Sequence, residues 1–170
     1  MHPENDEDLA LSRRAAAGDS AAFAMLVEKY EAALRGFLAR MAGPDLADDI
    51  AQEAFFKAWR AAGQYDGRAR YSTWLTRIAW RCRLDQLRRS RDVEPVADQH
   101  VDGGERAEVN DMLSRLSASE RAALVLCEGQ GWTHAEAAAL LDLPLGTLKS
   151  TVARAKEKCR AMWSGGDDHD

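Results

Sequence analysis

From Ser20 to Ala42 the chain reads SAAFAMLVEKYEAALRGFLARMA, and Phe23, Leu26, Val27, Tyr30, Leu34, Phe37, Leu38 and Met41 recur in it at helical spacing. Intervals of three and four gather these side chains into one continuous stripe on one side of a helix, where a strand would split them between two faces. A long amphipathic helix therefore starts near Ser20, and Gly43-Pro44 ends it. The flanks carry the same pattern. A first helix is expected over residues 7–17, stopped by Gly18, and a third over 46–62, stopped by Gly63. A fourth should cover 72–89 and bury Leu75, Ile78, Ala79, Cys82 and Leu87. Four such helices make a compact N-terminal domain.

The stretch DVEPVADQHVDGGERAE holds Pro95, a Gly-Gly pair, many charges and few large apolar residues, the composition of a flexible linker. Three or four short helices should follow it. Ser117-Ala-Ser-Glu120 and Thr133-His-Ala-Glu136 each fit the capping box that opens a helix. One of these helices spans 134–141, and a last one runs over 145–162. Alanine, leucine and arginine dominate, β-branched residues are few, and neither an alternating strand pattern nor an internal repeat is visible. The fold class is all-α: two small helical domains, 1–91 and 108–163, joined by an acidic linker at 92–107 and followed by an acidic tail at 164–170.

The formal net charge is −5, yet the charges are sorted along the chain. Residues 60–91 hold nine arginines against Asp66 and Asp85, and six of the nine fall between Tyr71 and Arg91. Residues 92–111 hold seven acids against Arg106. Residues 145–163 return to a basic balance, with Lys149, Arg154, Lys156, Lys158 and Arg160 against Glu157. Two basic blocks around an acidic spacer point to local contact with a polyanion rather than to global attraction. Cys82, Cys127 and Cys159 are distant from one another and read as reduced thiols, and the histidines are scattered, so no metal or other cofactor is expected. No enzyme chemistry is visible. No apolar run approaches the roughly 20 residues that cross a bilayer, and the acidic start MHPENDEDLA is unlike a signal peptide. A cytoplasmic protein without direct membrane insertion is the expectation.

The segment THAEAAALLDLPLGTLKSTVARAKEKCR has the grammar of a helix-turn-helix. Ala137, Ala138 and Leu141 would pack inward from the first helix, and Leu148, Val152 and Ala155 from the second. The opposite side offers Thr147, Lys149, Ser150, Ala153 and Arg154, and a basic end that includes Lys156. In this motif the start of the second helix enters the major groove, where Lys149 and Arg154 can meet guanine edges or phosphates. A plain helical hairpin with a solvated basic face is the alternative, and Lys156, Lys158 and Arg160 would equally suit a solvated helix end.

LADDIAQEAFFKAWR, the aromatic and basic helix after it, the linker, and then LSASERAALVL and GTLKSTVARAKEKCR together resemble a bacterial sigma factor of the extracytoplasmic-function group. The resemblance covers residues 9–160 and implies two sigma domains, regions two and four, on a tether. It implies that Asp48, Asp49, Gln52 and Glu53 dock on the β′ clamp helices of core RNA polymerase, although Asp45 and Asp48 would also suit the helix dipole. It further implies that the 71–89 helix and the loop before it open promoter DNA and hold the minus-ten strand. Tyr71, Ser72, Thr73 and Trp74 would form a base pocket. Arg77, Arg81 and Arg88 share one helical face by their spacing, and Trp80 lies at the edge of the apolar stripe, a candidate for an exposed aromatic. Trp74 fits core or pocket, Trp59 fits core, and Arg81 can pair with Asp85. The helix-turn-helix would read the minus-thirty-five element. Two residues depart from the family pattern. Arg81 stands where asparagine is common, which leaves base preference open, and Thr151 replaces a basic residue, which should cost one phosphate contact.

Three functions compete. The first is a promoter-specificity subunit of RNA polymerase, held in check by an anti-sigma factor, with a linker whose acidity suits the RNA exit path. The second is a decoy that binds an anti-sigma factor but no DNA, against which the two basic faces argue. The third is a helix-turn-helix repressor, which would leave the acidic 48–53 face and the arginine-rich helix without a purpose.

Overall fold

The computed structural model describes residues 3–90 and 104–164. Among them there is no strand. The chain divides into two compact units, Met1–Asp98 and Gln99–Asp170. The first holds α1 (Pro3–Ala16), α2 (Ser20–Ala42), α3 (Pro44–Arg60), a 3-10 turn (Ala62–Gln64) and α4 (Tyr71–Ser90). The second holds α5 (Gly104–Ser114), α6 (Ala118–Leu124), a π turn (Val125–Gly129), α7 (His134–Leu141) and α8 (Leu145–Ser164). The acidic stretch at 92–103 and the tail beyond Ser164 lie outside the described residues.

In the first unit α2 packs against all three other helices. Leu26, Leu34, Phe37, Leu38 and Met41 of its stripe are buried as the spacing requires, whereas Phe23, Val27 and Tyr30 are half-buried. The Asp19 side chain caps its start by accepting from the Ala22 amide at 3.0 Å, and Arg14 in turn holds Asp19 at 2.7 Å. Toward α2 and α4, α3 presents Ala47, Ile50, Ala51, Ala54 and Ala58, a buried row whose small side chains allow close helix approach. Because proline suits the first helical position, α3 begins at Pro44, two residues earlier than expected, and it ends at Arg60. For the same reason α1 opens at Pro3 rather than at residue 7.

On α4, Leu75, Ala79 and Cys82 are buried as expected and Ile78 is half-buried, but Leu87 is exposed. Leu87 lies in the last turn of α4, beyond the buried row. Tyr71 and Thr73 are fully buried. The Tyr71 ring is enclosed by Tyr30, Tyr65 and Trp74 at centroid distances of 5.2, 5.1 and 5.3 Å. Its hydroxyl and that of Thr73 have no hydrogen-bond partner among the described residues.

In the second unit both capping boxes form, Ser117 with Glu120 and Thr133 with Glu136. Asp142 takes the left-handed conformation (φ 54°) that closes α7 and starts the turn into α8. Leu148, Val152 and Ala155 of α8 are buried, as are Ala137 and Ala138 of α7, while Leu141 is half-buried. Leu126 and Trp132 complete this core from the π turn and the loop after it.

Burial raises the phenol pKa of both Tyr65 and Tyr71, and the charge of Asp8 adds to the effect; Tyr65 is pushed up to about 12. The folded state thus favours the neutral phenols, so their contribution is complete below pH 10 and is lost as pH climbs toward 12. Tyr71→Phe is expected to hold or raise stability by about 1 kcal/mol at neutral pH and to reduce this alkaline loss. Urea midpoints at neutral pH and at about pH 11 check it, and a marked fall at neutral pH would mean that the hydroxyl is bonded.

Candidate nucleic-acid and protein interfaces

The arginines of α4 divide by what holds them. Arg83 points inward: it donates to the Met41 carbonyl at 2.9 and 3.2 Å and sits 5.0 Å over the Trp80 ring. Trp80 is therefore only 8% exposed, pressed between Arg83 and Phe37, which corrects the expectation of an open aromatic there. Asp85 pairs with Lys57 and Arg88, each at 3.7 Å, and not with Arg81. Arg81 and Arg89 are exposed, Arg77 is half-buried, and none of the three has a carboxylate partner among the described residues.

Tyr71 and Thr73 are core residues rather than walls of an open pocket, because the aromatic cluster around Tyr71 seals this end of α4. Ser72 and Trp74 keep part of their surface. Trp74 thus belongs to the cluster and also fronts solvent. The loop ahead of α4 presents Arg68 and Arg70, both exposed and not among the expected site residues, with the Arg68 guanidinium 3.4 Å from the Asp66 carboxylate. The Asp66-Gly67 pair was the available signal. Asp66 accepts from the Arg68 amide at 3.0 Å and Gly67 has φ 75°, a turn that projects the following side chains outward.

On α3, Asp48, Asp49 and Gln52 are exposed and Glu53 is half-buried. Asp48 pairs with Arg35 at 3.1 Å and Glu53 with Lys57 at 2.9 Å, whereas Asp49 and Gln52 have no such partner among the described residues. One turn on, Phe56 is 60% exposed and extends the strip Asp49, Gln52, Glu53 with an apolar residue that spacing alone does not single out. Trp59 stands edge-on to Phe23 at 4.9 Å and is half-buried, so it is less fully core than expected. Both line an open groove of about 570 Å³ whose rim includes Glu28 and Glu31.

On α8, Thr147, Lys149, Ser150, Ala153 and Arg154 are all exposed and form one outward face. Lys156 is separate, because its ammonium pairs with Glu128 at 2.6 Å and ties α8 to the π turn. Lys158 ties the same helix to α6 by pairing with Glu120 at 2.8 Å. Thr151 is buried, and its hydroxyl donates to the Thr147 carbonyl at 2.8 Å. It stands on the packed side of α8, so its departure from the family pattern does not open a gap in the outward basic face. Burial pushes the thiols of Cys82, Cys127 and Cys159 up, away from the reactive thiolate.

Two family models match the chain: Sigma-70 region 2 over residues 26–93 and Sigma-70, region 4 over residues 106–159. The RNA polymerase sigma-H factor of Pseudomonas aeruginosa is 32% identical, and the match covers 89% of this chain and 91% of that protein. The ECF RNA polymerase sigma factor SigM of Mycobacterium tuberculosis is 35% identical over 92% of this chain and 84% of its own length. The chain is a sigma factor of the extracytoplasmic-function group. The ECF RNA polymerase sigma-E factor of Escherichia coli is 33% identical over 88% of this chain and 91% of its own. Among solved structures, the sigma factor RpoE in complex with the anti-sigma factor NepR from Bartonella quintana superposes with a TM-score of 0.71 at 26% identity, covering 86% of this chain and 98% of that one. CnrH in complex with the cytosolic domain of CnrY gives 0.71 at 28% identity, covering 94% and 98%. As a sigma factor the protein is a transcription regulator that directs RNA polymerase to promoter DNA. Among the described residues no helix is long and apolar enough to cross a membrane.

Hydrogen bonds from Lys158, then from the Ser117 amide, hold the Glu120 carboxyl below its ordinary 4.5. A lowered carboxyl pKa stabilises the fold above that value and stops doing so as pH falls through the folded value. Lys158→Ala is expected to cost about 1 kcal/mol at neutral pH and to flatten the acid loss. Lys149→Ala, on the same helix, should leave stability unchanged. Urea titrations near neutral pH and at about pH 3.5 separate the two.

Proposed function

We propose that this sigma factor divides its task among three surfaces of separate character. The α3 strip of Asp48, Asp49, Gln52 and Glu53, extended by Phe56, docks on the β′ clamp helices of core polymerase. The exposed part of α4 and its loop, with Ser72, Trp74, Arg77, Arg81 and Arg88, opens the minus-ten element and holds one strand. The α8 face of Thr147, Lys149, Ser150, Ala153 and Arg154 reads the minus-thirty-five element as duplex. On this assignment region two covers 1–91 and region four runs to 163; the expected linker of 92–107 is shortened at its end, because α5 already begins at Gly104.

One observation carries the reading: Arg81, Lys149 and Arg154 stand exposed and, among the described residues, without carboxylate partners, whereas Lys57, Lys156 and Lys158 in the same units are paired. Cations that keep their charge toward solvent are what phosphate contact and counterion release require. A half-open tryptophan on α4 suits an unstacked base, and such stacking is worth about 1–3 kcal/mol. A decoy would have no use for either face. The chemical step of RNA synthesis belongs to the polymerase, so the protein acts in the cytoplasm as a non-enzymatic subunit. Two similar structures hold an anti-sigma factor or the cytosolic domain of a partner. By that analogy an anti-sigma factor controls this chain as well.

The test is transcription in vitro with purified core polymerase on a pool of promoter fragments, reading RNA 5′ ends. Asp49→Arg with Glu53→Arg is expected to cut specific starts at least ten-fold while promoter-independent synthesis by core continues. Lys149→Ala with Arg154→Ala should weaken duplex binding and lower the salt slope by about 1 for each phosphate that the variant no longer neutralises. Starts unaffected by either pair would refute the assignment.

A further inference from the structure

Helix α1 lies wholly outside residues 26–93, the segment matched by the region 2 family model. It packs chiefly on α2, and from there it also reaches the loop that precedes α4. Ser12 donates to the Ala62 carbonyl at 2.9 Å, at the start of that connection, and Asn5 donates to the Gly67 carbonyl at 3.3 Å, at its middle. Gly67 is pressed against Leu9: a Cβ there would stand 3.1 Å from a Leu9 methyl. On the same helix Asp8 is 1% exposed, one of the few charged groups in the core. Lys29 reaches one of its oxygens at 2.7 Å, and the Tyr30 hydroxyl donates to the other at 2.5 Å.

From Tyr30 a chain of rings leads back to the surface assigned to the minus-ten strand. Tyr30 meets Tyr71 at 5.2 Å, and Tyr71 meets Trp74 at 5.3 Å. Tyr65 packs on both Tyr71 and Trp74, and its hydroxyl donates to the Ala69 carbonyl at 2.9 Å. Of the two α4 rings in this cluster, Trp74 is the one that keeps part of its surface, and its amide donates to the Arg70 carbonyl at 3.1 Å.

We propose that α1 is a brace for the strand-reading loop, with Asp8 as its central positioning residue. The inference rests on the proposed role of α4 and its loop in holding the minus-ten strand. Burying a carboxylate carries a large desolvation cost, and an apolar side chain would join α1 to α2 without it. What the carboxylate adds is direction: it fixes the Tyr30 hydroxyl, and through the ring chain the orientation of Trp74. Asn5, Leu9 and Ser12 fix the loop backbone from the same helix. A loop already held in shape loses less conformational entropy when it captures a flexible strand, so the brace appears as affinity.

The experiment measures three affinities of the assembled protein. These are the affinity for core polymerase, holoenzyme binding to a fluorescein-labelled non-template strand from a promoter found by the transcription assay, and binding to the duplex minus-thirty-five fragment of that promoter. Asp8→Asn, and separately Asn5→Ala with Ser12→Ala, are expected to weaken single-strand binding at least five-fold. Core and duplex binding should change less than two-fold. The double variant leaves the buried Asp8 in place and keeps the test open if Asp8→Asn does not fold. Single-strand binding equal to wild type in the folded variants would overturn the brace while leaving the α4 reading intact. A parallel fall in all three affinities would also overturn it, since α1 would then serve the fold as a whole. Failure of the wild-type holoenzyme to bind the strand would sink the α4 reading, and the brace with it.

Discussion

Close packing on one side of each helix decides what the other side offers. The alanine row at 47, 51, 54 and 58 seats α3 against its neighbours, and the helical period then leaves Asp49, Gln52 and Phe56 facing outward. The same logic orients α8: with Leu148, Val152 and Ala155 inside, Lys149, Ser150, Ala153 and Arg154 have to face solvent. Neither surface depends on a flexible loop for its geometry. A bulkier residue in the alanine row would push α3 away from its neighbours and shift the acidic strip along with it.

A chain of net charge −5 can engage DNA because its charges act one at a time. At physiological salt an exposed charge is screened over about 8 Å, so only acids within that reach of a basic face offset it appreciably. Within each unit the acids also select which cations remain available. Glu128 and Glu120 occupy Lys156 and Lys158, and Glu53 with Asp85 occupies Lys57. Arg83 is taken by a backbone carbonyl and a tryptophan face. These paired cations fasten helices together; under the proposed assignment, phosphate contact falls to cations such as Arg81, Lys149 and Arg154, which have no carboxylate partner among the described residues. Counting positive charges along the sequence therefore overstates the interface, since structural cations are counted together with functional ones.

Much of the fold was legible because it is local. Helical periodicity located α2, the capping boxes located the starts of α6 and α7, and the inward face of α8 followed from spacing alone. What the sequence could not display were partnerships across long separations. Trp80 reads as a stripe-edge residue until Arg83 is seen reaching Met41, 42 positions away, and covering the ring on its way. Tyr71 reads as a loop–helix junction until Tyr30 and Tyr65 close around it. Asp8 looks like part of a solvated acidic N-terminus, yet Lys29 and Tyr30 make it a core residue. Leu87 fails the other way, since its spacing is right but the last turn of α4 extends past the packed row.

The two departures from the family pattern consequently differ in kind. Thr151 replaces a basic residue at a buried position and bonds to its own helix, so its effect belongs to the packing of α8 and not to a missing phosphate contact. Arg81 replaces an asparagine at an exposed position where Asp85, the nearby acid, is already engaged by Lys57 and Arg88. Asparagine both donates and accepts, and so can match the mixed edge of adenine. A guanidinium only donates, and it matches the paired acceptors of guanine or a phosphate. The substitution therefore changes the type of contact available at this point of α4, adding charge while removing an acceptor. Because Trp80 beside it is held inward, no aromatic stacking at that neighbouring position can compensate for the missing acceptor.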